Sequence, residues 1–151
     1  EAPSRRSDGV EPPRERAPSV STMTDEWTAP EFGLKAALGF ALENRDGRSI
    51  AVLEISGVHL NPNGVVHGAV PFTMMDTAMG GAVMNTIDDG RRCATIEMQT
   101  RYHRPVATGT LTATAEVITA GRRVVHLRAE TRDDDDRLVA SATASFAIFE
   151  P

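Results

Sequence analysis

The second half of the chain alternates apolar and polar residues with a period of two. Ile96, Met98 and Tyr102 share one parity, Leu111, Ala113, Ala115 and Val117 share another run, and Val125, Leu127 and Ala129 repeat it. A last run, Leu138, Ala140, Ala142, Ala144, Phe146 and Ile148, closes the series. A period of two places alternate side chains on one face of a strand. Turns are expected at Gly109, Gly121 and Asp133 to Asp136, so the pattern predicts four consecutive strands in an antiparallel meander, each with one buried face. Upstream, Phe40 to Arg45 and Ser49 to Ser56 flank Asp46-Gly47. That dipeptide supplies the positive φ angles of a tight hairpin. Glu31 to Leu38 reads as a short helix before Gly39, and Val58 to Val66, with its Pro and Asn residues, reads as a loop.

Between hairpin and meander lies GAVPFTMMDTAMGGAVMN, Gly68 to about Asn85. Val70, Phe72, Met74, Met75, Ala78, Met79, Ala82 and Val83 leave no wide polar face, which predicts a helix enclosed by other structure. A sheet must wrap it. The small residues Ala78, Gly80, Gly81 and Ala82 weaken helix propensity but permit close approach of a neighbouring backbone.

Composition narrows the class. With 151 residues, 40% of them hydrophobic, one folded domain with its own core is expected. A net charge of −5 argues against nucleic acid as a partner. No stretch approaches the roughly 20 apolar residues of a membrane span, and no secretory apolar run opens the chain; a soluble, cytoplasmic protein is the expectation. The single cysteine, Cys93, excludes an internal disulfide and gives no zinc spacing, and it reads as a packed side chain. The four aspartates Asp133 to Asp136 are contiguous, unlike the alternate ligands of a calcium loop, and read as a solvated hairpin tip. Glu1 to Ser21 is rich in Pro, Arg, Glu and Ser, so residues 1–28 are expected to form a disordered tail before a domain of residues 29–151. Met23 is an expected native start.

Asp76 carries the candidate chemistry. A carboxylate inside an enclosed helix costs several kcal/mol unless it is paired or used. Pro71 is tolerated only in a first helical turn, so the helix should begin near Gly68 to Val70, leaving the Gly68 and Ala69 amides free. Free amides at the positive end of a helix suit a carbonyl oxygen that gains charge during acyl transfer. Gly68, without a Cβ, lets a substrate come close, and His67 reads as a support for the helix entry. Eight residues at 1.5 Å each separate Asp76 from Gly68 by about 12 Å. One helix therefore cannot serve both ends of one carbonyl, and two antiparallel copies across a two-fold axis would. A homodimer with two shared sites is the expectation.

The pattern Asn61-x-x-Gly64-x-x-His67-Gly68, with Asp76 nine positions after the His, resembles the PaaI-like acyl-CoA thioesterases of the hotdog-fold superfamily. The likeness runs from about Leu34 to Phe149 and includes Thr95 to Val106, Thr108 to Arg123 and the closing DDDRLVASATASF. It implies an α+β hotdog fold, an antiparallel sheet wrapped around one long helix, with dimers pairing into tetramers. It also implies an enzyme without cofactor or metal that hydrolyses aryl or medium-chain acyl-CoA. Asp76 would be nucleophile or general base, Gly68 the oxyanion donor with His67 beside it, Asn61 a holder of water or thioester, and Thr95 a support for the carboxylate or the water. The family usually reads His-Gly-Gly, whereas Ala69 stands here in place of the second Gly. Arg91, Arg92, Arg101, Arg104, Arg122 and Arg123 are candidate contacts for the phosphates of coenzyme A. Two alternatives remain beside this reading, a hotdog hydratase or dehydratase and a non-catalytic acyl-CoA-binding protein on the same fold. None of His59, His67, His103 and His126 has an Asp five residues before it, the spacing one hydratase family uses.

Overall fold

The computed structural model describes residues 27–87 and 90–151. Most of the proposed tail and the Met23 start therefore lie outside the described residues. A short helix α1 (Gly33–Leu38) leads into strands β1 (Ala41–Arg45) and β2 (Arg48–Glu54). Asp46 and Gly47 join the strands with φ of 53° and 73°, the paired left-handed conformation that closes a two-residue hairpin. A turn of 3-10 helix, Gly57–His59, precedes the long helix α2 (Ala69–Met84). Strands β3 (Arg92–Tyr102), β4 (Thr110–Ala120), β5 (Val124–Arg132) and β6 (Leu138–Phe149) complete the chain.

Among the described residues the six strands form one antiparallel sheet in the order β1-β2-β4-β5-β6-β3. The expected four-strand meander is therefore corrected at its first member. Only β4, β5 and β6 run as a meander, while β3 lies on the far side of β6 and forms an edge. Its connection to β4, residues 103–109, contains Pro105 and is too long for a tight hairpin. Burial of the parity sets in β4, β5 and β6 is as the alternation predicts: Leu111, Ala113, Ala115, Val125 and Leu127 are fully buried.

Helix α2 packs against one face of the sheet. Met74, Met75, Ala78 and Met79 are fully inaccessible, and removing a Met-sized side chain from water contributes about 1.5–3 kcal/mol each. Close packing against β2 depends on Gly81, where a Cβ would stand 2.5 Å from the Ser49 hydroxyl. The stripe Phe72, Thr73, Asp76, Thr77, Gly80 and Met84 remains only partly covered. Enclosure of the helix is thus incomplete within one chain.

Strand β3 also departs from its expected parity. Ile96 is 56% exposed, because the register with β6 slips between Thr95 and Glu97. A bulge adds one residue to one strand and inverts the alternation after it. Cys93 and Thr95 therefore reach α2 before the bulge, and Met98 packs on the core after it.

Candidate active site

Asp76 sits half-buried on the open stripe of α2, and the hydroxyl of Thr95 donates to its Oδ1 at 2.7 Å. Among the described residues its Oδ2 meets no donor. The carboxylate borders a cleft of about 540 Å³. Phe72, Met84, Leu42, Phe146, Phe32 and Trp27 give that cleft apolar walls. The side chain of Asn85 donates to Oδ1 of Asn44 at 2.9 Å, and Asn44 in turn donates to the carbonyl of Trp27. This relay ties the start of the described chain to the end of α2. Cys93 shares the cleft. Burial, aided by the negative charge of Asp76, pushes its thiol above the ordinary value, so it stays protonated at neutral pH and behaves as a packing residue.

The start of α2 is held separately. His59, buried, accepts the Ser56 amide at Nδ1 (2.9 Å), so its Nε2 donates to the carbonyl of Leu38 (2.8 Å) and pins the end of α1. Its own carbonyl accepts the amide of His67 at 2.8 Å. The expectation that both helix-entry amides are free is corrected by His67: its Nδ1 accepts the Ala69 amide at 3.0 Å, and its carbonyl accepts the Val70 amide at 2.9 Å. Of the four successive amides from 67 to 70, only that of Gly68 meets no acceptor among the described residues. His67 thereby engages the amides of Ala69 and Val70 and leaves that of Gly68.

Asn61 fixes the preceding loop. Its Oδ1 accepts the amides of Asn63 (2.9 Å) and Val65 (3.4 Å), the local turn that Asn side chains favour. The missing Cβ of Gly68 has a neighbour that sequence reasoning missed. The ring of Tyr102 lies where that atom would be, 3.0 Å away at Cζ, and its hydroxyl donates to the Gly68 carbonyl at 2.7 Å. An apolar pocket of about 400 Å³ opens beside this pair, lined by Val66, Pro71, Tyr102 and Val106. An aromatic residue seven positions after Thr95 was visible, but its partner across the fold was not.

Within one chain the five candidate residues thus fall into two groups. Asp76 and Thr95 meet in the cleft, while Gly68, His67 and Asn61 gather at the helix start. Of the candidate arginines, Arg92 borders the cleft and Arg104 the pocket beside Gly68. Among the described residues no cluster of His, Cys, Asp and Glu could hold a metal ion, and no helix is long and apolar enough to cross a membrane. Two of the four contiguous aspartates hold backbone amides. Asp133 accepts the amides of Asp135 and Arg137, and Asp134 accepts the amide of Thr110 at 3.0 Å.

Residues 63–140 match the family model of the thioesterase superfamily. The chain belongs to that superfamily. As a hotdog-fold thioesterase it has relatives among solved structures. A conserved protein of Pseudomonas aeruginosa is 32% identical with a TM-score of 0.75, the match covering 79% of this chain and 95% of that one. A phenylacetic acid degradation-related protein of Ralstonia eutropha JMP134 is 30% identical with a TM-score of 0.72, covering 79% and 92%. The medium/long-chain acyl-CoA thioesterase YigI of Salmonella typhimurium is 30% identical over 97 residues, which span 56% of this chain and 63% of YigI. The sheet, the single long helix and the superfamily membership agree with an enzyme that hydrolyses thioesters.

Proposed function

We propose that this thioesterase hydrolyses aryl or medium-chain acyl-CoA at two sites shared across a homodimer. The observation that carries the reading is a half-buried carboxylate, Asp76, with one oxygen engaged by Thr95 and the other open to an apolar cleft. Acting as general base, Asp76 takes a proton from water, and the hydroxide attacks the thioester carbon. Acting as nucleophile, it attacks that carbon itself and forms an anhydride that water then opens. On either route the carbonyl oxygen becomes an oxyanion and the thiolate of coenzyme A leaves.

The oxyanion requires a donor. About 12 Å along one helix is too far, so the free Gly68 amide of a second copy is assigned that role. Two features support the pairing: the uncovered stripe of α2 around Asp76 and the unpaired edge of β3 beside it. Thr95 holds the carboxylate, His67 occupies the competing amide, and Asn61 keeps the loop before it in shape, its amide nitrogen left to hold water or thioester. Pairing of two dimers into a tetramer and a cytoplasmic location belong to the same reading. Arg92 and Arg104, beside the two half-sites, are the basic residues placed to meet phosphate. The substrate class follows from the apolar walls and from the names carried by YigI and the Ralstonia eutropha protein.

Thiol release from a panel of acyl-CoAs tests the reading. Release from aryl and medium-chain thioesters, lost in Asp76→Asn, is expected. Binding of acyl-CoA without release from any member would replace it with a non-catalytic binding protein.

A further inference from the structure

We propose that Tyr102 is a positioning residue for the oxyanion amide, acting through the Gly68–Ala69 peptide. The inference rests on the reading that the Gly68 N–H receives the thioester oxygen. An amide in that role stabilises charge only if it is held in place before the reaction. Glycine is the residue whose backbone is least restrained by itself. Something else must hold position 68.

Tyr102 restrains it in two ways. Its hydroxyl donates to the Gly68 carbonyl at 2.7 Å. Its ring fills the space that a side chain would take, with Cζ 3.0 Å and Oη 3.1 Å from an ideal Cβ. The restraint reaches His67 through the same peptide group, whose carbonyl accepts from Tyr102 and whose amide, that of Ala69, donates to His67 Nδ1 at 3.0 Å. A backbone N–H can only donate, so Nδ1 is the unprotonated nitrogen and the imidazole carries its proton on Nε2. Hydrogen bonds in series strengthen one another. The phenol, the peptide and the imidazole therefore form one unit around the single free amide.

Tyr102 is fixed in turn by the sheet. It closes β3 and pairs with Ala140 of β6. The same strand carries Thr95 to Asp76, so β3 braces α2 at the carboxylate and again at the amide end. Burial of the ring pushes the phenol above its ordinary value, which keeps the hydroxyl a donor through the neutral range.

Variants of the full chain test the role. Tyr102 is 55% exposed, so Tyr102→Phe is compatible with folding. Against an acyl-CoA that the parent hydrolyses, kcat is expected to fall about tenfold in Tyr102→Phe with KM within twofold. That is less than the 10²–10³-fold loss of an oxyanion donor itself. The ¹⁵N shifts of the His67 ring should move with it, a change that a merely structural tyrosine would not produce. Gly68→Ala keeps the amide but drives a Cβ into the ring, so it should lose activity as Tyr102→Leu does, and the double variant should be no worse than either single one. Unchanged kcat and unchanged His67 shifts in Tyr102→Phe, with only the melting temperature lowered, would overturn the role. Gly68→Pro separates the two readings. Full activity in that variant removes the oxyanion assignment itself, whereas a dead Gly68→Pro beside a fully active Tyr102→Phe removes only the role of Tyr102.

Discussion

Thr95 Oγ1 and Asp76 Oδ1 lie 2.7 Å apart across the gap between strand β3 and helix α2. A hydroxyl that donates to one carboxylate oxygen fixes the plane of the group and directs its second oxygen into the cleft. Asp76→Asn keeps the shape and removes the negative charge. A loss of about 10²–10⁴-fold in kcat is expected, the usual range for a positioned acid or base. Thr95→Val removes only the orienting bond, so a smaller loss, about tenfold, is predicted by the same measurement. Equal losses in the two variants would contradict this division of roles.

The two half-sites can be tested by mixing. Gly68 has φ −56°, which a proline can adopt, so Gly68→Pro removes the amide proton; Gly68→Ala, which puts the same Cβ against the Tyr102 ring but keeps the amide, measures how much of the loss that contact causes. Subunits carrying Asp76→Asn and subunits carrying Gly68→Pro are each expected to be inactive. After exchange, one intact site per heterodimer should return a quarter to a half of parental activity. Heterodimers confirmed by native mass spectrometry that stay silent would exclude the shared site.

Gly81 and Ser49 give a stability prediction. The added methyl of Gly81→Ala would meet the fully buried Ser49 hydroxyl at 2.5 Å. Overpacking costs about 1–3 kcal/mol, against about 1 kcal/mol gained in helix propensity. Net destabilisation by up to about 2 kcal/mol in urea unfolding is expected. Among the described residues the Ser49 hydroxyl has no hydrogen-bond partner, so Ser49→Ala is nearly neutral alone and should remove most of the penalty at position 81. Additive effects would show that the contact is not the cause.

Asp133 predicts an acid-sensitive hairpin. Burial pushes its carboxyl up, but hydrogen bonds from the Arg137 amide and side chain, the charge of Arg137 and the Asp135 amide together hold it below the ordinary 3.8. A lowered folded value means that the stabilisation is present above 3.8 and is lost as pH falls through the folded value. Amide exchange at Arg137 and Asp135 should accelerate in that acid window, and Asp133→Asn should make it less dependent on pH. Exchange rates without such a step would refute the assignment.

Much of this arrangement was legible in local chemistry. Asp46-Gly47 can close only a narrow set of turns, Pro71 can occupy only the first turn of α2, and the parity of Leu111, Ala113 and Ala115 requires one buried face. The features that were not legible depend on partners distant in sequence. Nothing in residues 92–102 marks the register slip at Ile96, because a bulge is set by the pairing with β6. Crossing of β3 to the far edge depends on the loop that carries it. Capping of the Ala69 amide by His67 is a rotamer choice, and the neighbour of Gly68 is a tyrosine 34 positions away.

The bulge has a last consequence for how this enzyme can change. Thr95 faces inward, Ile96 and Glu97 face outward, and Met98 faces inward again. Deleting residue 96 would restore plain alternation without re-addressing any side chain that meets α2. The strand that steadies the carboxylate thus carries one spare residue, and its length can drift by one while the chemistry it supports keeps its address.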